Sequence, residues 1–539
     1  MKKNYIPTLF IAVLALGSTG CTDILMVESK TSPTSEYLYT SPEGLEKAIV
    51  GMYDMDRSPV LGDNSPVGIP CLMDACTDLC VFRGGTTASL FRLDNNNAST
   101  GYFLTYWQNY YKIIGKTNEI ISAALKLGLD DPDVSRIYGE ASLFRAKSYF
   151  LLYQRFERLY LNTEPTNIDN AFNRTFRAAG KTEIFTLIKD DLENAIQYLD
   201  WTPGMGSSGK PEYGRMTKAV AKHVRAQVAM WEEDWDTAIS ECESLITEGA
   251  DYYGLLSNTA AVFSGANLNN KEVLYALQFS NQPGGGNTVS DGLATGHRLS
   301  LNTTPNYNKI SGMKWSVENG GYGWGRIYPN TYLLGLYDQA KDNRYTGTFK
   351  HHYYYNDQDN LPSGKRLGDE VSVTSSNYLE QAHPATLKYF DQWTNADNPS
   401  RTSSFKDVVV YRLAETYLMC AEAYFHKEGG SSTKALHYFN ATYHRAGNEE
   451  KAFITLNDIL DEYARELYFE GVRWGLLKRL GLLGERVKLH AGDTQTEDPR
   501  LNQNYIQART NFNDSRDWCW PIPQDELDLM PGFGQNPGW

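Results

Sequence analysis

The stretch Glu318 to Tyr328, ENGGYGWGRIY, carries the side chains best suited to chemistry at a surface. Trp324 and Tyr322 offer flat rings on a glycine-rich backbone, and Arg326 beside them offers a fork of N–H donors. Such rings pack against the C–H faces of a polyhydroxylated ligand, while a guanidinium bonds its edge. Trp324 is the ring expected to make that contact. Covalent chemistry has no comparable signal, since no G-x-S-x-G elbow, H-E-x-x-H helix or phosphate loop occurs. A glycosidase would need two carboxylates facing each other across a cleft, about 5–9 Å apart. The visible acidic pairs, Asp190-Asp191 and Glu232-Glu233-Asp234, are expected on exposed faces or turns of helices. Glu466, Glu470 and Arg473 fall on one helical stripe, and Arg412 and Glu415 are spaced likewise. These read as scaffold ion pairs, so no catalytic residue and no cofactor is expected. Cys71, Cys76 and Cys80 lack a CxxC pair and a nearby His, which argues against a metal site. For these thiols a single disulfide and buried free cysteines stay equally open.

The elements that must hold the Trp324 loop are mostly helical. The spacing predicts helices over Ser41–Asp56, Tyr102–Leu127, Asp133–Tyr160 and Glu183–Leu199, each with an apolar face at 3.6-residue period. Ser41 supplies a cap and Pro42 the first helical position of the earliest one. From Thr217 the helices pair. Ala226 and Ala229 on one, with Trp235, Ala238, Cys242 and Leu245 on the next, resemble a tetratricopeptide repeat. Ala423, Gly430, Ala435 and Phe439 repeat the pattern much later. The fold class is therefore predominantly α, a repeat-like helical hairpin scaffold split by a large loop-rich insertion with short strands. The expected boundaries are 1–20 for a signal peptide, 21–253 and 407–539 for the two helical parts, and 254–406 for the insertion. Within the insertion, strands are expected at His351–Tyr355 and Glu370–Thr374. Ligand contacts usually sit on such loops over a rigid frame.

Both termini carry further information. Lys2 and Lys3 precede the apolar run Leu9–Leu16, which suits a signal-peptide core and is too short to span a bilayer. Small residues then lead to Cys21, placed where lipoprotein processing attaches a diacylglycerol. Two or three acyl chains give stable anchoring, so a membrane-anchored, non-spanning chain is expected. Without residues 1–20 the chain has 49 basic against 65 acidic residues, or −16, which argues against nucleic acid as a partner. At the other end, Trp520-Pro521-Ile522-Pro523 is stiff, and a short acidic helical turn is expected at Gln524 to Leu529. Pro531-Gly532, Gly534 and Pro537-Gly538 then let the chain turn around Phe533 and Trp539.

That tail, PIPxxE followed by QNPG and a terminal aromatic, resembles the end of SusD/RagB-family nutrient-binding lipoproteins. Four internal segments resemble the same family in order. They are Phe144-Arg145-Ala146 with Tyr149-Phe150, Gly214-Arg215-Met216-Thr217-Lys218 with Asp234-Trp235, Tyr411 to Ala423, and Arg465 to Arg479. The resemblance implies a SusD-like fold and a surface-exposed lipoprotein that binds a glycan without catalysis. It implies delivery to a SusC-like TonB-dependent transporter in the outer membrane. RagB-type members, which serve peptide uptake, supply the alternative ligand class. The family commonly carries a Thr/Ser-Asp pair before a binding loop, which Thr77-Asp78 fits here, with Phe82 as the nearest platform aromatic and Arg83 beside it. The starch-binding type member of the family has a further aromatic in the preceding loop, which has no counterpart in Gln282 to His297.

Overall fold

A computed structural model describes residues 35–61, 74, 77–84, 88–166, 170, 176–206, 209–282, 287–288, 294–392 and 398–539. The signal segment with Cys21, together with Cys71 and Cys76, lies outside the described residues, and Cys80 is buried.

Helix α1 (Pro42–Leu61) starts as expected, with the Ser41 hydroxyl accepting the Gly44 N–H at 3.0 Å. Helices α2 (Gly101–Leu127) and α3 (Pro132–Phe156) pack against it and each other. Asp131 caps α3 by accepting from the N–H groups of Asp133 and Val134. This helix ends earlier than its pattern suggests, because Glu157 turns the chain at a φ of 56°. Helix α4 (Lys181–Tyr198) covers α3. Their seam corrects one expectation: Asp191 is buried, not exposed, and accepts both arms of the Arg145 fork at 2.7 and 2.8 Å.

Helices α5 (Lys218–Glu232) and α6 (Trp235–Thr247) form the first repeat-like hairpin, closed by a left-handed Glu233 and the Asp234 cap. Helices α7 (Leu413–Glu428) and α8 (Thr433–Arg445) form the second, and α6 packs directly on α7. Ala226, Ala229, Ala238, Ala423 and Ala435 are buried along these seams, where a larger side chain would push the backbones apart. Two hairpins far apart in sequence thus stack as neighbours. Among the described residues no helix is long and apolar enough to cross a membrane.

The insertion leaves through β2 (Val273–Leu277) and returns through β4 (Val408–Arg412), paired antiparallel with local irregularities. The strands expected at His351–Tyr355 and Glu370–Thr374 do not form as such. Phe349–Lys350 pairs with Ala385–Thr386, and the two expected segments share only an isolated bridge between Tyr354 and Glu370. The Tyr355 N–H donates to the Asp369 carbonyl and the Val371 N–H to the Tyr353 carbonyl, and these two bonds make that bridge. The ladder ends there because the Asp369 N–H turns back to the Arg366 carbonyl and the Tyr355 carbonyl accepts from the Gly368 N–H instead.

A buried charge network joins the insertion to the helices. Arg412 donates to Glu470 at 2.6 and 2.8 Å, to Glu466 at 2.7 Å and to Glu272 at 2.9 Å. Glu466 also receives Arg344 at 2.8 Å and Arg445 at 2.7 Å, and Glu470 receives Lys388 at 2.6 Å. Burial opposes ionisation of Glu466, yet Arg445, Arg412 and Arg344 together hold its carboxyl well below its usual value. The single stripe expected for Glu466, Glu470 and Arg473 does not exist. Helix α9 (Leu456–Leu467) stops first, and Phe469 at a φ of 60° redirects the chain. Glu415 likewise turns away from Arg412 and accepts from Gln227 at 2.7 Å, with the His223 ring at 3.1 Å from its other oxygen.

The C-terminal tail docks as expected, with a helix at Gln524–Leu529. Trp520 sits among Phe103, Tyr106 and Phe156. The Asn536 amide donates to the carbonyls of Phe156 and Trp520 at 2.6 and 2.8 Å.

Two stability measurements follow from the charges. Arg412→Met strips three buried carboxylates of a shared cation, and the expected loss is about 3–5 kcal/mol in urea denaturation. Glu422 is buried, which by itself raises its pKa, but Arg479 at 2.6 Å, with His426, lowers it to about 2. A depressed carboxyl contributes stability above its unfolded value, near 4.5, and loses it as pH falls toward 2. Unfolding free energy measured from pH 5 to pH 2 is expected to fall less in Glu422→Gln than in the parent.

Candidate functional site

The segments singled out by sequence meet on one two-stranded ribbon. Strand β1 (Cys80–Phe82) pairs antiparallel with β3 (Ile327–Pro329), in the register Cys80 with Pro329, Val81 with Tyr328, and Phe82 with Ile327. Residues more than two hundred positions apart become neighbours through this pairing. Beyond the ribbon, the Arg83 N–H donates to the Arg326 carbonyl at 2.8 Å. The Arg83 guanidinium reaches across to the carbonyls of Gly325 and Trp324, at 2.8 and 2.9 Å. Arg83 is therefore a brace for the backbone that carries Trp324.

The glycine-rich loop is pinned rather than loose. The N–H groups of Trp324, Gly325 and Arg326 donate to the carbonyls of Leu301, Thr304 and Asn302, which belong to or follow the short helix Leu299–Thr303. The glycines permit this approach. Gly325 has a φ of +56°, and a Cβ there would drive into the Glu380 carbonyl oxygen. A Cβ on Gly323 would strike the carbonyls of Pro305 and Thr304. Exposure alternates accordingly, with Tyr322, Trp324 and Arg326 half-buried and the residues between them buried.

Each candidate side chain has a definite place. The Arg326 guanidinium lies over the Trp324 ring, 4.1 Å from its centre, and Arg298 lies 5.8 Å from it. Tyr322 turns toward Trp315, with ring centres 4.7 Å apart. Phe82 is half-buried and stacked on Phe91 at 3.9 Å, so one of its faces is occupied from within. Asp78 does not reach this surface. It is fully buried and accepts from Arg473 at 2.9 and 2.7 Å and from Arg486 at 3.3 Å. Burial raises its pKa, but these two guanidiniums hold the carboxyl below its ordinary value. The residue expected to meet a ligand instead fastens the start of β1 to the C-terminal helices.

Sequence reasoning missed Trp315 and Arg298. Trp315 lies in the run leading into the same loop, a signal that was readable. Arg298 had none, because only the folded backbone brings it to Trp324.

Residues 275–539 match a family model described as SusD family, and residues 28–207 match one described as starch-binding associating with outer membrane. The chain belongs to the SusD/RagB family. It is 26% identical to SusD-like protein P2 of Formosa agariphila over the whole of both chains. It is 40% identical to the starch-binding protein SusD of Bacteroides thetaiotaomicron, over 25% of this chain and 22% of that one. Among solved structures, a laminarin-binding SusD-like protein superposes with a TM-score of 0.71 at 21% identity, covering 93% of this chain and all of the other. Surface glycan-binding protein A from Bacteroides thetaiotaomicron gives 0.71 at 19%, covering 93% and 99%. The predominantly helical SusD-like fold is thus shared with these solved structures.

Because the loop depends on its glycines, Gly325→Ala is expected to cost about 1–3 kcal/mol. Thermal melts should show the loss, and a changed tryptophan emission should report movement of Trp324.

Proposed function

We propose that this protein is a glycan-binding lipoprotein, anchored to the outer membrane through Cys21 and facing the cell exterior. It passes its ligand to a SusC-like TonB-dependent transporter and performs no covalent step. The observation that carries the reading is the ribbon that sets Phe82 and Arg83 against Trp324 and Arg326 on a rigid helical frame. Family membership, a starch-binding relative and the glycan-binding structural neighbours support it. Trp324 and Tyr322 present ring area to the sugar, Arg326 supplies donors, and Arg83 with Phe82 sets the loop's position. Binding energy comes from ring faces packed on C–H groups and from hydroxyls paired at the edge. Asp78 belongs to the frame beneath.

The test is affinity electrophoresis of the chain from residue 22 onward, which retains every described element, across a panel of polysaccharides. Retardation by at least one glycan is expected, and Trp324→Ala should weaken it about tenfold, equivalent to about 1.4 kcal/mol. Retardation unchanged in the variant would move the site elsewhere. No retardation by any glycan would overturn the reading and favour a peptide ligand.

A further inference from the structure

The surroundings of Trp324 are cationic to a degree that a neutral sugar does not require. Three guanidiniums, those of Arg83, Arg298 and Arg326, converge on one tryptophan in a chain whose net charge is −14. Lys309 adds a fourth positive group at the rim. Among the described residues the carboxylate beside Arg83 and Lys309 is Glu380, and it is already engaged: it accepts from Lys309 at 2.6 Å and Asn306 at 3.0 Å, with Arg83 at 3.7 Å, while Arg298 has a partner of its own. Like charges held this close repel one another. Partial burial makes Arg326 easier to deprotonate than usual, and Arg83 and Arg298 add to the effect.

Arg326 differs from its neighbours in how its charge is used. Arg83 spends its donors on backbone carbonyls. Among the described residues the Arg326 guanidinium has no hydrogen-bond acceptor and no ion-pair partner; its one contact of note is the face of Trp324. A stacked guanidinium keeps its N–H groups in its own plane, free to meet an incoming group edge-on. That fork matches the two oxygens of a carboxylate or of a sulfate ester. A half-buried setting strengthens such a pair relative to open water.

We propose that the ligand is an acidic glycan, with a carboxylate or sulfate group held by the unengaged fork of Arg326. This rests on the glycan-binding reading above and specifies its substrate class. Trp324 then serves in two ways, since one part of its ring orients Arg326 and the remainder meets the sugar carrying the charge. Tyr322 and Trp315, packed beside each other, extend the surface along the chain of the glycan.

Calorimetric titration of matched pairs tests this. Polygalacturonate is set against its methyl ester, and a sulfated galactan against its desulfated form, with laminarin as the neutral reference. The expected result is binding to a polyanion that weakens about tenfold or more on neutralising the anion, and by a similar factor in Arg326→Gln. Which pair responds distinguishes carboxylate from sulfate. Salt at about 0.5 M should weaken the wild-type interaction further than that of the variant. Arg326→Lys keeps the charge without the fork, so it should recover only part of the affinity. Unchanged melting temperatures in both variants exclude misfolding. Equal binding of neutral and charged forms, or anionic binding unaffected by Arg326→Gln, overturns the inference while the glycan-binding reading stands. Absence of binding to every glycan, charged or neutral, overturns both.

Discussion

The fold depends on a set of charges placed where water cannot reach them. Arg412 ends β4 and begins α7, and it binds Glu466 near the end of α9, Glu470 just past it, and Glu272 from before β2. No one of these elements could bury its charge alone, because an unpaired ion in the interior costs several kcal/mol. The carboxylates and guanidiniums therefore assemble together or not at all. Arg344 and Lys388 bring the insertion into the same cluster, so the loop-rich region and the helical frame share one electrostatic centre. A smaller group, Asp78 with Arg473 and Arg486, repeats the device at the base of the ribbon.

Rigidity at the Trp324 loop comes from backbone rather than side-chain packing. Three consecutive N–H groups are taken up by carbonyls from one short segment, and Arg83 satisfies two carbonyls on the other side. With its main chain so engaged, the loop holds Trp324 and Arg326 in place before any ligand arrives. Such preorganisation lowers the ordering entropy that binding must overcome. The glycines act here as spacers that admit close approach, and flexibility has no part in their role.

Much of this was legible in the chain. Helical period located the long helices, alanines at repeat spacing located both hairpins, and the proline-rich tail with its acidic turn folded as its residues indicate. The Trp324 loop also stood out, because aromatics among glycines are unusual in a helical protein. What local pattern misled on was the charges. Arg473 is spaced to meet Glu466 along a helix, yet one left-handed residue, Phe469, breaks the stripe and sends it to Asp78. Asp191 lies among charged residues in sequence and deep in a seam in space. Partners in such pairs lie tens to hundreds of positions apart, and neither periodicity nor propensity carries information over that distance. Arg298 was invisible for the same reason.

The pairing of β2 with β4 means that the polypeptide enters and leaves the insertion side by side. A segment attached in this way resembles a cassette, whose interior can change in length and composition while its two ends keep their spacing. The frame would accept a different cassette provided that one of its strands still pairs with Cys80–Phe82 and that a guanidinium and an ammonium still arrive where Arg344 and Lys388 now stand. Diversification of what such a protein recognises can then proceed through exchange of whole loops, with the pairing to Cys80–Phe82 and a few fixed charges serving as the plug.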